Sequence, residues 1–217
     1  MRVLVACEFS GVVRDAFAAK GHEAVSCDLT PSDSPGPHIE ADVLDILDQG
    51  WDLMVAHPPC TYLCRSGIHW NKVRPDRQEK TDRAIEFAKS LWDAPIERIC
   101  IENPVGLLST AIGPPSQYIQ PHDFKSNAKK KTGLWLKNLP YLKPTGYVEP
   151  RWVFGKDKKT LVPRWGNQGD CGYSNLTSGP DRSRKLSITY SGVAEAMADQ
   201  WGGDSTTILA RTKENEC

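Results

Sequence analysis

Residues 53–64 read LMVAHPPCTYLC, and the fold is decided on this stretch. Leu53, Met54, Val55 and Ala56 make a short apolar run closed by two prolines and a cysteine, which predicts a buried strand ending at a rigid turn. Pro58 and Pro59 fix φ and remove two backbone donors, so Cys60 leaves the strand in a defined direction. In an open α/β sheet such a loop lies at the carboxyl end of a strand, where doubly wound folds bind their ligands.

Working outward, a second stretch has the same shape. Arg98, Ile99, Cys100 and Ile101 predict a strand that ends on Glu102-Asn103-Pro104. Between the two stretches, residues 76–94 predict a helix with Ala84, Ile85, Ala88, Leu91 and Trp92 toward the core and Pro95 as terminator. Two stiff, proline-bounded strand ends, one carrying a thiol and one a carboxylate, are therefore expected side by side.

Upstream, Arg2 to Cys7 is rich in valine and leucine with little alternation, as in a strand covered on both faces. Phe9, Ser10 and Gly11 follow, then a helical run through Val13, Ala16, Phe17 and Lys20 that stops at Gly21. Ala24 to Asp28 is a second strand, and its acid stands about 17 residues after Gly11. Strand, glycine-bearing turn, helix and acid-ended strand match the first unit of a nucleoside-binding α/β domain. In that unit the turn presents backbone amides and the acid holds a ribose. An ordinary βαβ unit with an exposed aspartate fits this piece equally well. Residues 30–38 read as a loop, and Asp42 precedes a short helix closed by Gly50.

Composition bounds the possibilities. The chain has 217 residues, 39% hydrophobic, with 27 basic and 27 acidic side chains, enough for one core of a single domain and no general polycation. Any nucleic-acid contact must then come from a local basic face. The opening MRVLVAC is too short for a signal peptide or a membrane span, so the expectation is a soluble, intracellular chain. Seven cysteines, an odd number without a CxxC pair, fit reduced and mostly buried thiols rather than a disulfide framework. His57, Cys60, Cys64 and His69 have metal-ligand chemistry, but their spacing matches no common zinc pattern, and no metal is expected.

A thiol and a carboxylate beside a nucleoside site point to addition to an electron-poor ring. The thiolate attacks, and the acid hydrogen-bonds or protonates the ring to accept the developing charge. At these residues the chain resembles the DNA cytosine-5 methyltransferases. Cys60 after two prolines, followed by Glu102-Asn103-Pro104, is similar to their paired catalytic motifs, and Phe9-Ser10-Gly11 resembles their first S-adenosylmethionine motif. His57 stands where that family carries a small residue, and Gly11 is all that remains of a glycine-rich motif.

The resemblance implies an α/β fold, a Rossmann-like doubly wound sheet of the class I methyltransferase type, and S-adenosylmethionine as methyl donor. It implies catalytic roles for Cys60, Glu102, Pro59 and Asn103. Cys60 would attack carbon 6 of a flipped-out cytosine and Glu102 would engage ring nitrogen 3, so that carbon 5 takes the methyl group. Phe9, Ser10, Gly11, Asp28, Leu29, Asp42 and Pro58 would bind the cofactor, with Asp28 at the ribose and Asp42 at the adenine amine. Lys129, Lys130 and Lys131, ahead of the strand TGLWLK, would hold the target-strand phosphate, and Arg182 and Arg184 would add DNA contacts. A terminal helix over 188–203, with Val193, Met197 and Trp201 on one face, would close the cofactor side, and 204–217 is expected to be a tail.

Residues 138–187 offer only about 50 residues where the family inserts a recognition domain, too few for a typical separate one. This resembles the compact form carried by phages, which implies a monomer in the bacterial cytoplasm that protects phage DNA from restriction. The region interleaves Lys and Arg with Trp152, Phe154, Trp165 and Tyr173. Such a composition holds a nucleic-acid strand with an extruded base, or else is a solvated loop pinned to the sheet by its aromatics. Other readings stay open: the same mechanism with a carboxymethyl donor, action on free pyrimidine nucleotides, an amino-methyltransferase, or a non-catalytic DNA-binding protein.

Overall fold

The computed structural model describes residues 1–203 except 177 and 180, and leaves aside the side chains of 66 and 75. The tail expected at 204–217 lies outside the described residues. Seven strands make one sheet: β1 (Arg2–Ala6), β2 (Glu23–Asp28), β3 (His38–Glu40), β4 (Leu53–Ala56), β5 (Arg98–Pro104), β6 (Gln117–Ile119) and β7 (Thr132–Lys137). Their order is β3-β2-β1-β4-β5-β7-β6. Strands β1 to β5 pair in parallel, and β7 runs antiparallel to both β5 and β6. Because β2 lies on one side of β1 and β4 on the other, the strand order reverses there and opens a crevice at the carboxyl ends of β1 and β4.

The apolar runs are continuous because both faces of the sheet are covered. Val3, Val5, Leu53, Val55, Cys100 and Leu134 face a core shared with Phe17 of α1 (Val12–Ala18) and with Met197 and Trp201 of α5 (Ser191–Trp201). Leu4, Ala6, Met54, Ala56, Ile99 and Ile101 face the other core, shared with Ala88 and Leu91 of α2 (Pro75–Trp92) and with Leu108 of α3 (Leu108–Ala111). The alternation of neighbours between two cores follows from the two-residue period of a strand. Among the described residues no helix is long and apolar enough to cross a membrane.

Two local details differ from the sequence reading. Residues 38–40 form an edge strand, β3, rather than the end of a loop, so Arg98 begins the fifth strand and not the fourth. Three residues are too few to show a period, and β3 owes its existence to pairing with β2. The short helix before Gly50 is a 3-10 turn, Val43–Ile46, capped by Asp42, whose Oδ1 accepts from Leu44 N at 3.0 Å. As the sequence predicts, the strand begun at Arg98 ends on Glu102, Asn103 and Pro104, which pair with Leu134, Gly133 and Thr132 of β7 and so hold the carboxylate on sheet backbone.

Region 138–187 folds as a hairpin of β8 (Arg151–Phe154) and β9 (Leu161–Arg164), with α4 (Arg182–Ser187) near its end. Trp165 pins it to the main body by stacking its ring on His122 at 4.3 Å, while its Nε1 donates within the region to Val148 O at 3.1 Å. Trp152, Phe154 and Tyr173 stay exposed. The two readings of these aromatics thus divide, with Trp165 as the pin and the other three facing solvent. At the terminal helix, a Cβ on Gly192 would stand 1.7 Å from Phe124 O, so the small residue is what lets α5 dock.

Candidate active site

The loops after β4 and β5 are tied together. His57 N continues the ladder by donating to Ala6 O at 2.9 Å, and Cys60 opens a 3-10 turn, Cys60–Tyr62. Asn103, 1% exposed, donates from Nδ2 to Pro58 O at 2.8 Å. Further out, Leu107 N donates to Leu63 O at 2.8 Å and Arg65 N to Val105 O at 3.3 Å. This zipper needs Gly106, where a Cβ would stand 1.9 Å from Leu63 O. The thiol and carboxylate strand ends expected side by side are neighbours in the sheet, β4 pairing with β5, and the zipper fixes their loops.

Glu102 is buried. Its Oε2 lies 2.8 Å from His57 Nδ1 and accepts from Thr189 Oγ1 at 3.2 Å. Burial by itself raises this carboxyl, but the His57 hydrogen bond, the Lys130 charge and the Thr189 hydrogen bond outweigh it and hold the group at about 2. Glu102 is therefore ionised at neutral pH. Burial, then the neighbouring Cys64, pushes the Cys60 thiol up, opposed by the Lys130 charge. Cys60 rests as a thiol and must lose its proton on attack.

Cys60 opens onto a cleft of ≈ 710 Å³ between the strand ends and α4, lined also by Phe9, Asp28, His57, Pro59 and Arg184. A more apolar recess of ≈ 310 Å³ between Asp28, Leu29, Asp42, Val43, Pro59 and Phe87 adjoins it. Cys7, Asp28 and Pro59 line both, which makes one trough running from the two acids to the thiol. Asp28 Oδ1 accepts from Thr30 N and Thr30 Oγ1, both at 2.9 Å, so the acid is held in place at the rim. Pro58, by contrast, is buried under Asn103, and Pro59 is the proline facing the trough.

Beyond the turn after β1, the amides that open α1 are already taken: Glu8, 5% exposed, accepts from Val13 N at 2.7 Å and Arg14 N at 3.2 Å, and Ser10 Oγ accepts from Val12 N at 3.4 Å. A carboxylate at the start of α1 already uses the helix dipole and would repel a phosphate there. The chain reaches this arrangement through Cys7, whose φ of 58° is uncommon for a residue with a side chain. Gly11, at φ 76°, is required by packing, since a Cβ would stand 2.4 Å from Arg14 Nη2. Glu8 and Arg14 shape the wall of the site, and the sequence reading missed both. The carboxylate three residues before Gly11 and the arginine three after it were the available signal.

Arg14 is fully buried and ties down residues 32–35, with Nη1 on Ser26 Oγ (3.1 Å) and Ser32 Oγ (3.2 Å) and Nη2 on Ser34 O (3.3 Å) and Pro35 O (3.0 Å). Across the cleft, Arg184 lies over the Phe9 ring at 3.8 Å and pairs with Asp33 at 2.6 Å, while Arg182 lines the same wall. The three consecutive lysines engage different neighbours. Lys130 donates to Leu186 O at 3.0 Å and acts on Glu102 and Cys60. Lys129 lies over Trp165 and Lys131 over Tyr118, and both remain exposed. Among the described residues no three His, Cys, Asp or Glu side chains are grouped to hold a metal.

No protein-family model matches the sequence, and no curated protein does. Among solved structures, the chain is similar to a candidate DNA modification methyltransferase encoded within a prophage of E. coli. The two share 12% identity with a TM-score of 0.41 over 63% of this chain and 46% of that one, so this chain aligns with about half of that protein's length and no argument rests on the likeness.

Proposed function

We propose that this chain transfers a methyl group from S-adenosylmethionine to carbon 5 of cytosine in DNA through a covalent Cys60 adduct. The observation that carries the reading is the coupling of Cys60 and Glu102 on adjacent parallel strand ends, locked by Asn103 and Gly106, with Cys60 at the mouth of a trough that has two acids at its far end. The strand order with its antiparallel β7 supports a class I methyltransferase fold. The trough fits the donor: Leu29, Val43 and Phe87 give an apolar wall for an adenine, and Asp28 and Asp42 can accept from ribose hydroxyls and an amine. When bound, the donor supplies an electrophilic methyl group. The Glu8 carboxylate at the start of α1 favours a cofactor without phosphates over a dinucleotide.

In this reading the Cys60 sulfur adds to carbon 6, and the charge that develops on the ring is met at nitrogen 3 on the Glu102 side. Loss of the carbon-5 proton re-forms the double bond and expels the sulfur. Pro59 and Asn103 keep the thiol in register. Lys129, Lys131, Arg182 and Arg184 take phosphates. The exposed face of the hairpin, with Trp152 and Phe154 on β8 opposite Pro163 and Leu161 and with Lys156, Lys158 and Lys159 in its turn, is suited to unpaired bases beside a phosphate backbone.

Nucleoside mass spectrometry of DNA incubated with S-adenosylmethionine tests the proposal. One added methyl on deoxycytidine, lost in Cys60→Ala, is expected. A second donor, carboxy-S-adenosylmethionine, is favoured by one observation, the Arg184 cation over Phe9 in the cleft wall. The same spectrum distinguishes it by a carboxymethyl adduct.

A further inference from the structure

His57 lies between the thiol and the carboxylate. It lines the cleft that holds Cys60, whereas Glu102 lines a separate small recess with Lys130, Thr132 and Thr189. The imidazole side chain is 10% exposed, and its Nδ1 sits on Glu102 Oε2 at 2.8 Å. Its Nε2 is buried with no hydrogen-bond partner, one of three such side-chain atoms among the described residues, and a second is Asn103 Oδ1 on the neighbouring strand end. A buried ring nitrogen without a partner is costly, and such a cost at the wall of a cleft points to a ligand group that completes the bond. The backbone leaves the ring little freedom, since His57 N is bonded to Ala6 O and two prolines follow.

We propose that His57 is the residue that carries the proton to the pyrimidine ring, with Nδ1–H anchored on Glu102 and Nε2–H donated to ring nitrogen 3. This rests on the cytosine reading above and changes which side chain meets the base. The Cys60 thiol releases its proton to water and its sulfur forms a bond to carbon 6. The carbon 5–carbon 6 π pair shifts to carbon 4–carbon 5, and the carbon 4–nitrogen 3 pair moves onto nitrogen 3. Nitrogen 3 takes the proton from imidazolium Nε2, which leaves a neutral His57 still donating from Nδ1. After transfer, carbon 5 gives its proton to water, the ring double bond re-forms, the carbon–sulfur bond breaks, and nitrogen 3 returns its proton to Nε2.

An ionised carboxylate behind an imidazole fixes the ring's tautomer and orientation. Glu102, held ionised, is suited to that role and is a poor proton donor at neutral pH. The other titratable or charged groups near the ring are Lys130 before β7, Cys60 and Cys64 after β4, Cys7 and Asp28 along the trough, and Arg182 and Arg184 across the cleft. Glu102 is the carboxylate in contact with the ring.

The test is the single-turnover rate of covalent trapping on an oligonucleotide containing 5-fluorocytosine, followed against pH. The wild type should lose rate at high pH through one ionisation. His57→Asn keeps a donor for Glu102 but carries no titrating proton, so it should trap about 100-fold more slowly and lack that limb. His57→Ala should recover rate with added imidazole, which a purely structural loss would not show. Wild-type rate and pH limb in His57→Asn, or no recovery with imidazole, would overturn the proposal and leave Glu102 as the acid. No trapping by the wild type at any pH would overturn the cytosine reading and this proposal with it.

Discussion

Replacing Arg14 with methionine keeps an unbranched side chain in the same space and removes the guanidinium. Ser34 O and Pro35 O would lose their donor, as would Ser26 Oγ and Ser32 Oγ. The hydroxyls can turn to other partners, since Ser26 Oγ already meets His38 Nδ1 at 2.9 Å, so the two carbonyls dominate the loss. At roughly 1–2 kcal/mol each, the variant should lose about 3 kcal/mol. For a chain of this length, that is a fall in melting temperature of about 6–12 °C. Residues 32–35 follow directly on the Asp28–Thr30 turn at the trough's rim, so affinity for S-adenosylmethionine should fall about 10-fold while the rate of the bound enzyme changes little. Differential scanning calorimetry and isothermal titration read the two effects. A melting shift under 2 °C, or a loss of rate with affinity intact, would refute the idea that Arg14 acts by holding this loop.

Gly106→Ala drives a Cβ into Leu63 O and should part the two loops, costing about 2 kcal/mol in a urea melt and at least about 10-fold in methyl transfer. The double change Trp152→Ala and Phe154→Ala should weaken binding to single-stranded DNA by about 10-fold or more, read by fluorescence anisotropy, with the melting temperature unmoved because both side chains are exposed. Glu102 ties stability to pH: its folded carboxyl lies at about 2, below the ordinary range, so its contribution is complete above the unfolded value and is lost as pH falls toward 2. Urea midpoints taken between pH 6 and pH 3 should therefore drop less in Glu102→Gln than in the wild type.

Elements long enough to show a period, or bounded by strong punctuation, were legible in sequence. The strand Leu53–Ala56 with its prolines, the helix ending before Pro95 and the helix Ser191–Trp201 all stand where the residues place them. The edge strands β3 and β6, three residues each, were not, because what makes them strands is a partner across the sheet. The hairpin in 138–187 escaped for a related reason: its apolar face is not buried, so burial alternation left no mark. At the site, residue types pointed to Cys60, Glu102 and the acids Asp28 and Asp42. They could not reveal that Glu8 takes the amides of α1, that Gly11 serves Arg14, or that His57 sits on Glu102.

Local chemistry explains this division. By itself the sequence determined a parallel α/β sheet, with a thiol and a carboxylate each delivered at a strand end, because buried apolar runs, prolines and helix periods act through near neighbours on the chain. Only the tertiary structure decided that the thiol rests protonated and the carboxylate ionised, and that an imidazole stands between them. Those outcomes depend on burial, on the Lys130 charge and on the Thr189 hydrogen bond, both brought in from far along the chain.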